Sequence, residues 1–149
     1  MKILVINGPN LQLLGQREPE IYGTLTLPQV CSELELFASQ FKGIKIEFFQ
    51  SNHEGNIVDQ IGNCLKAKVD GIIINPAAFT HTSIAIYDAL KAVGIPTIEV
   101  HISNIYKRED FRKHSVSAGA CIGLISGLGP KGYCYALSSL VDSIKKQTI

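Results

Sequence analysis

The patterns that would declare a partner outright are missing from this chain. Its Lys and Arg residues are scattered instead of grouped, and the formal net charge is only +1 over 149 residues. There is therefore no electrostatic footprint for nucleic acid. No apolar stretch approaches the ~20 residues that span a bilayer, so no membrane association is expected. The chain enters an apolar strand at once, without the basic segment, apolar core and cleavage site of a signal peptide. A cytoplasmic protein is expected. The four cysteines, Cys31, Cys64, Cys121 and Cys134, form no CxxC pair, which points to reduced thiols instead of disulfides or a zinc site. The four histidines, His53, His81, His101 and His114, include no HExxH or other close ligand pair, and no carboxylate cluster accompanies them. No metal site is expected. Internal repeats, linkers and low-complexity segments are missing too, and a chain that is 46% hydrophobic is long enough to bury one core as a single domain, 1–149.

What is present is an alternation of strands and helices. Residues 2–6, Lys-Ile-Leu-Val-Ile, form a nearly continuous apolar run, as in a parallel strand buried on both faces. Thr26-Leu27-Pro28-Gln29 combines a capping box with a proline in the first turn, which predicts a helix through Phe41 that Gly43 ends in a left-handed cap. Ile44, Ile46 and Phe48 alternate as a second strand. The next helix carries Ile57, Ile61 and Leu65 on one face. Further strands are predicted at 71–74, 97–101 and 121–126, with helices at 83–93, ended by Gly94, and at 133–145. In the last helix Tyr133, Leu137, Val141 and Ile144 form one apolar stripe. Five such units require right-handed crossovers and helices on both faces of a parallel sheet. The expected fold is a flavodoxin-like, doubly wound α/β sheet of five strands in the order 2-1-3-4-5.

In such sheets ligands bind beyond the carboxyl ends of the strands. There the chain places Asn7 to Asn10, then Asn52 with His53, then Asn75, then His101 with Ser103. Each alone is an ordinary turn former, but together they present polar groups from a rigid platform. Glu99 and His101 are two apart on a strand and share a face, so Glu99 can accept an imidazole N–H and fix its tautomer. His81 precedes a helix, and either contacts a ligand or packs in a loop whose Thr80, Thr82 or Ser83 caps that helix. In the loop after the first strand, Arg17 stands five residues before Tyr22. A free tyrosine has a pKa of about 10, and a close guanidinium in a partly desolvated site can lower it enough to make the phenolate a general base. The alternative is an exposed loop. Gly15 and Gly23 bracket this segment as hinges for closure over a ligand. Arg108 and Arg112, four apart, suit one helical face, where one could reach an anionic ligand, or belong to a solvated charged helix. The segment Gly127-Leu128-Gly129-Pro130-Lys131-Gly132 lacks the GxxxxGK[ST] pattern and reads as a turn and helix entry.

Four ordered blocks, NGPNLQLLGQREPEIYG at 7–23, NPAAFTHTSIAIYDAL at 75–90, EVHISNIYKREDFRKHS at 99–115 and GLGPKGYCYAL at 127–137, closely resemble type II 3-dehydroquinate dehydratase over nearly the whole chain. The resemblance implies a cofactor-independent hydro-lyase of the shikimate pathway, which converts 3-dehydroquinate to 3-dehydroshikimate by anti elimination through an enolate. It assigns Tyr22 as the base, Arg17 as the group that lowers its pKa, and His101 as the acid that protonates the departing hydroxyl. It implies that Asn75, His81, Arg112 and the backbone N–H groups of Ile102 and Ser103 hold the substrate, and that Asn10 and Pro9 fix a water beside the enolate oxygen. Asp88 matches a position that reaches a neighbouring subunit's active site in a trimer, and four trimers form a dodecamer in this family.

The chain departs from the family pattern at Gln12, a position outside the chemistry, and at Tyr106 and Val116, which bear on loop packing. Ala77 matters more. The family usually has glycine there, near the enolate site, and alanine tolerates positive φ poorly. The competing class is a flavodoxin-like binding module for a nucleotide, or a response-regulator-like switch. Against it, the first strand is not followed by acidic residues, and no glycine-rich phosphate loop appears.

Overall fold

The computed structural model describes residues 1–16 and 24–147. Five parallel strands, β1 (Lys2–Asn7), β2 (Lys45–Gln50), β3 (Gly71–Asn75), β4 (Thr97–His101) and β5 (Gly123–Ser126), form one sheet in the expected order 2-1-3-4-5. The helices are α1 (Leu27–Ala38), α2 (Glu54–Asn63), α3 (Ile84–Val93) and α4 (Lys131–Gln147). Because side chains alternate across a strand, β1 sends Ile3 and Val5 to one face and Leu4 and Ile6 to the other. The first pair packs with Leu34 of α1 and with Leu137 and Val141 of α4. The second packs with Ile57 and Ile61 of α2 and with Ile86 and Leu90 of α3. All four of these β1 residues are buried, and each such side chain contributes roughly 1.5–3 kcal/mol relative to its exposed state.

Local chemistry sets the helix ends. Thr26 accepts from the Gln29 backbone N–H while the Gln29 side chain accepts from the Thr26 N–H, so the capping box forms in full. Ser83, and neither Thr80 nor Thr82, caps α3 by accepting the Ile86 N–H at 2.9 Å. Gly94 ends α3 at φ 62°. Gly43 also has positive φ, but α1 stops earlier, at Ala38, and Gly43 serves the turn into β2 instead. Leu65 was expected on the buried face of α2, yet it is exposed. The helix ends at Asn63, and Cys64 takes the inward position. Strand β5 starts two residues later than the apolar pattern suggested, at Gly123.

All four cysteines are free. Burial, and then the Glu99 charge, push the Cys121 thiol up to about 12, while burial and then Glu35 push Cys31 up to about 11. Thiols held so far above neutrality stay protonated, which suits packing and not nucleophilic chemistry. Among the described residues, no helix is long and apolar enough to cross a membrane, and no group of three or more His, Cys, Asp or Glu is placed to hold a metal ion.

Candidate active site

The carboxyl ends of β1, β3 and β4 open into a cavity of about 150 Å³. Each wall has an identifiable local cause. From the first loop come Pro9 and Asn10. Asn10 has φ 66°, a left-handed conformation that asparagine accepts more readily than most residues, and its N–H is held by Asn52 Oδ1 at 2.9 Å. This loop lies directly on the end of β3, for the Gly8 N–H donates to the Asn75 carbonyl at 2.8 Å. A Cβ on Gly8 would sit 2.3 Å from the Pro76 carbonyl oxygen, so only glycine permits the approach.

From β3 and the short 3₁₀ turn Ala77–His81 come Asn75, Ala77 and His81. Ala77 has φ 52°, a left-handed conformation that is strained for alanine and that the glycine usual at this family position adopts without cost. Its N–H donates to Asn75 Oδ1 at 3.2 Å. His81 Nδ1 lies 2.8 Å from the His114 carbonyl oxygen. A carbonyl only accepts, so Nδ1 carries the proton and a neutral ring keeps Nε2 as an acceptor.

Strand β4 supplies His101, followed by Ile102 and Ser103. His101 Nε2 donates to Glu99 Oε1 at 2.7 Å, the same-face pairing anticipated from their spacing. Glu99 is wholly buried. Besides the imidazole it accepts the Ser115 hydroxyl on Oε1 at 2.7 Å and the Ser117 hydroxyl on Oε2 at 2.5 Å. Three donors satisfy a carboxylate that burial would otherwise make very costly. With Nε2 committed to Glu99, Nδ1 is the ring nitrogen left for the cavity.

Arg108 and Arg112 both line the cavity, but not from a common helical face. Two 3₁₀ turns, Ile105–Lys107 and Asp110–Arg112, carry the chain here. Glu109 gathers the two guanidiniums instead, with Nε–Oε2 distances of 3.6 Å to Arg108 and 3.1 Å to Arg112. Its carboxyl is held below the usual range, first by a hydrogen bond to its own backbone N–H and then by these arginines. Arg108 also donates to Ser103 Oγ at 3.4 Å. Two arginines, with no carboxylate among the described residues lining the cavity, give it a field suited to an anionic ligand.

Arg17, Tyr22 and the Gly23 hinge position lie outside the described residues. Asp88 is exposed on α3 and does not line the cavity of its own chain. His53, grouped with the strand-end residues by its position, stands at the N-terminus of α2 and is not part of the cavity wall. Nothing in the residue pattern pointed to the roles of Ser115, Ser117 and Tyr133. The two serines reach Glu99 only because the chain turns back after β4, and Tyr133 reads as part of an apolar stripe although its hydroxyl is hydrogen bonded at the base of the site.

A family model described as "Dehydroquinase class II" matches residues 1–141. The chain is 54% identical to the 3-dehydroquinate dehydratase of Carboxydothermus hydrogenoformans, over 99% of this chain and 94% of that protein. It is 58% identical to the enzyme of the same name from Caldicellulosiruptor saccharolyticus, over 95% and 97% respectively. The crystal structure of a type II dehydroquinase from Butyrivibrio crossotus superposes with a TM-score of 0.92 at 49% identity, covering 95% of this chain and 97% of that one.

Proposed function

The chain belongs to the class II dehydroquinase family, and from that premise we propose that it dehydrates 3-dehydroquinate to 3-dehydroshikimate in the cytoplasm, by anti elimination and without a cofactor. The observation that carries this reading is the His101–Glu99 pair, 2.7 Å apart at the end of a central strand and at the wall of a cavity whose charged side chains are cationic. Tyr22, made basic by the neighbouring Arg17 guanidinium, takes the proton from the carbon next to the ketone, and the electron pair moves onto the ketone oxygen as an enolate. The enolate then collapses. The C–O bond to the hydroxyl breaks, and the Nδ1 proton of the His101 imidazolium goes to the departing oxygen, releasing water and leaving the conjugated enone.

Glu99 holds the imidazole in place and balances its charge in this scheme. Asn10, beside Pro9, fixes a water at the enolate oxygen, so charge is met where it develops. Asn75, His81, Arg112 and the N–H groups of Ile102 and Ser103 hold the substrate's carboxylate and hydroxyls. Two acid–base groups poised in this way suffice near neutral pH. Purified protein given 3-dehydroquinate in the presence of a chelator is expected to generate the ultraviolet absorbance of the enone. The absence of that signal at micromolar enzyme overturns the assignment.

Asp88 serves the active site of an adjacent subunit in a trimer, with four trimers forming a dodecamer. Its exposure outside its own cavity supports this. Asp88→Ala is expected to lower kcat/KM about tenfold, the worth of one charge-assisted hydrogen bond. Co-expression with Tyr22→Phe subunits should restore activity, because some hybrid sites then combine an intact Tyr22 with an intact Asp88. Unchanged kinetics with unchanged assembly by light scattering would contradict the contact.

A further inference from the structure

We propose that Tyr133, in the first turn of α4, is a positioning residue whose hydroxyl, together with the Ala77 backbone N–H, holds the Asn75 amide in one orientation, and through it sets the hydrogen-bonding surface the cavity offers to substrate. This rests on the reading of Asn75 as a substrate contact given above.

The directions of the hydrogen bonds follow from one unambiguous donor. The Ala77 backbone N–H donates to Asn75 Oδ1 at 3.2 Å, so the opposite end of that amide is the nitrogen. Asn75 Nδ2 then donates to the Tyr133 hydroxyl at 2.9 Å. With its oxygen accepting, Tyr133 turns its own proton to Asn7 Oδ1, 2.6 Å away. The amide retains one further N–H for the cavity that Asn75 lines. Asn7, Asn75 and Tyr133 are all buried, and Tyr133 is 1% exposed, so water cannot readily replace the phenol in this chain.

The placement of α4 is consistent with such a role. Gly127 and Gly129, both at positive φ, turn the chain from β5 into the helix. A Cβ on Gly132 would lie 3.3 Å from Val100 Cγ1 and 3.4 Å from Ile125 Cγ2, so the first turn sits tightly on the sheet. That contact delivers Tyr133 to the ends of β1 and β3. Burial pushes its phenol well above the ordinary range, with the Asn75 hydrogen bond opposing in part. Tyr133 therefore stays a neutral donor, in contrast to the basic role proposed for Tyr22.

Tyr133→Phe removes the oxygen and leaves the ring. If the wild-type protein turns over 3-dehydroquinate, this variant is expected to raise KM about tenfold with kcat within about twofold, because Asn75 contacts substrate in the ground and transition states alike. In an Asn75→Ala background the same substitution should change KM by less than about twofold, since the group it orients is gone. A fall in kcat at constant KM, which signals loss of active protein, or an equal KM increase in the Asn75→Ala background, overturns the proposal. Should Tyr133→Phe prove insoluble, Asn7→Ala carries the same cycle, because the hydroxyl proton, deprived of its Asn7 acceptor, is free to turn toward Asn75 and compete with the Nδ2–H bond. A wild-type protein inactive on 3-dehydroquinate would instead refute the functional assignment on which this rests.

Discussion

Tyr22→Phe is expected to lower kcat by about 10²–10⁴-fold, the usual contribution of one positioned acid–base group, while KM changes by no more than about threefold. The substitution removes a single oxygen. Phenylalanine fills the same space, so contacts that bind substrate uniformly are preserved and the loss falls on proton abstraction alone. Each unit by which Arg17 lowers the tyrosine's pKa requires about 1.4 kcal/mol of preference for the phenolate. Arg17→Ala should therefore move the basic requirement in the kcat–pH profile upward, toward the value of a free phenol. A steady-state comparison of Tyr22→Phe with wild type decides the matter. A variant whose whole defect lies in KM would show that Tyr22 binds substrate without removing the proton.

The other large effect is expected at His101, where activity and stability can be separated. His101→Ala should also lower kcat by about 10²–10⁴-fold through loss of the acid. In addition it strips one of three donors from Glu99, which is 0% exposed and keeps only Ser115 and Ser117. Leaving a buried carboxylate short of its main partner costs on the order of 3 kcal/mol. For a chain of this size that corresponds to a fall of roughly 6–12 °C in Tm at fixed protein concentration. The double variant His101→Ala/Glu99→Gln should recover most of that loss, because a neutral amide is less costly to bury, and should recover none of the activity. Equal melting temperatures for wild type and His101→Ala would show that the pair contributes little to the fold. Full turnover in His101→Ala would assign the acid elsewhere.

Local pattern carried much of this structure. The nearly continuous apolar run of β1 and the Ile-Ile-Ile of β3 read as strands buried on both faces, and the capping box at Thr26 and the glycine at 94 marked helix ends by chemistry confined to a few residues. Once strands and helices alternated, handedness and layering left few sheet orders open. Glu99 and His101 were legible as a pair because the strand period is two. Where the pattern misled, a neighbour outside the window decided the outcome. Leu65 has the spacing of a buried residue, but α2 stops at Asn63 and the chain turns, so Cys64 goes inward. Arg108 and Arg112 have helical spacing, yet two short 3₁₀ turns around Glu109 bring them to the cavity.

By itself, then, the order of residues determined the strand and helix succession, the edge where polar groups collect, and the family resemblance that singled out Tyr22, Arg17 and His101. Only the tertiary structure decided what surrounds His101 and its Glu99 partner. The serines that hold Glu99 lie 16 and 18 residues from it, and the Tyr133 phenol reaches Asn7 across 126 residues. Periodicity reports which face of an element is apolar, because that depends on the repeat of one backbone. The partner of a buried hydroxyl depends on how separate elements dock, and no repeat within a single element encodes that.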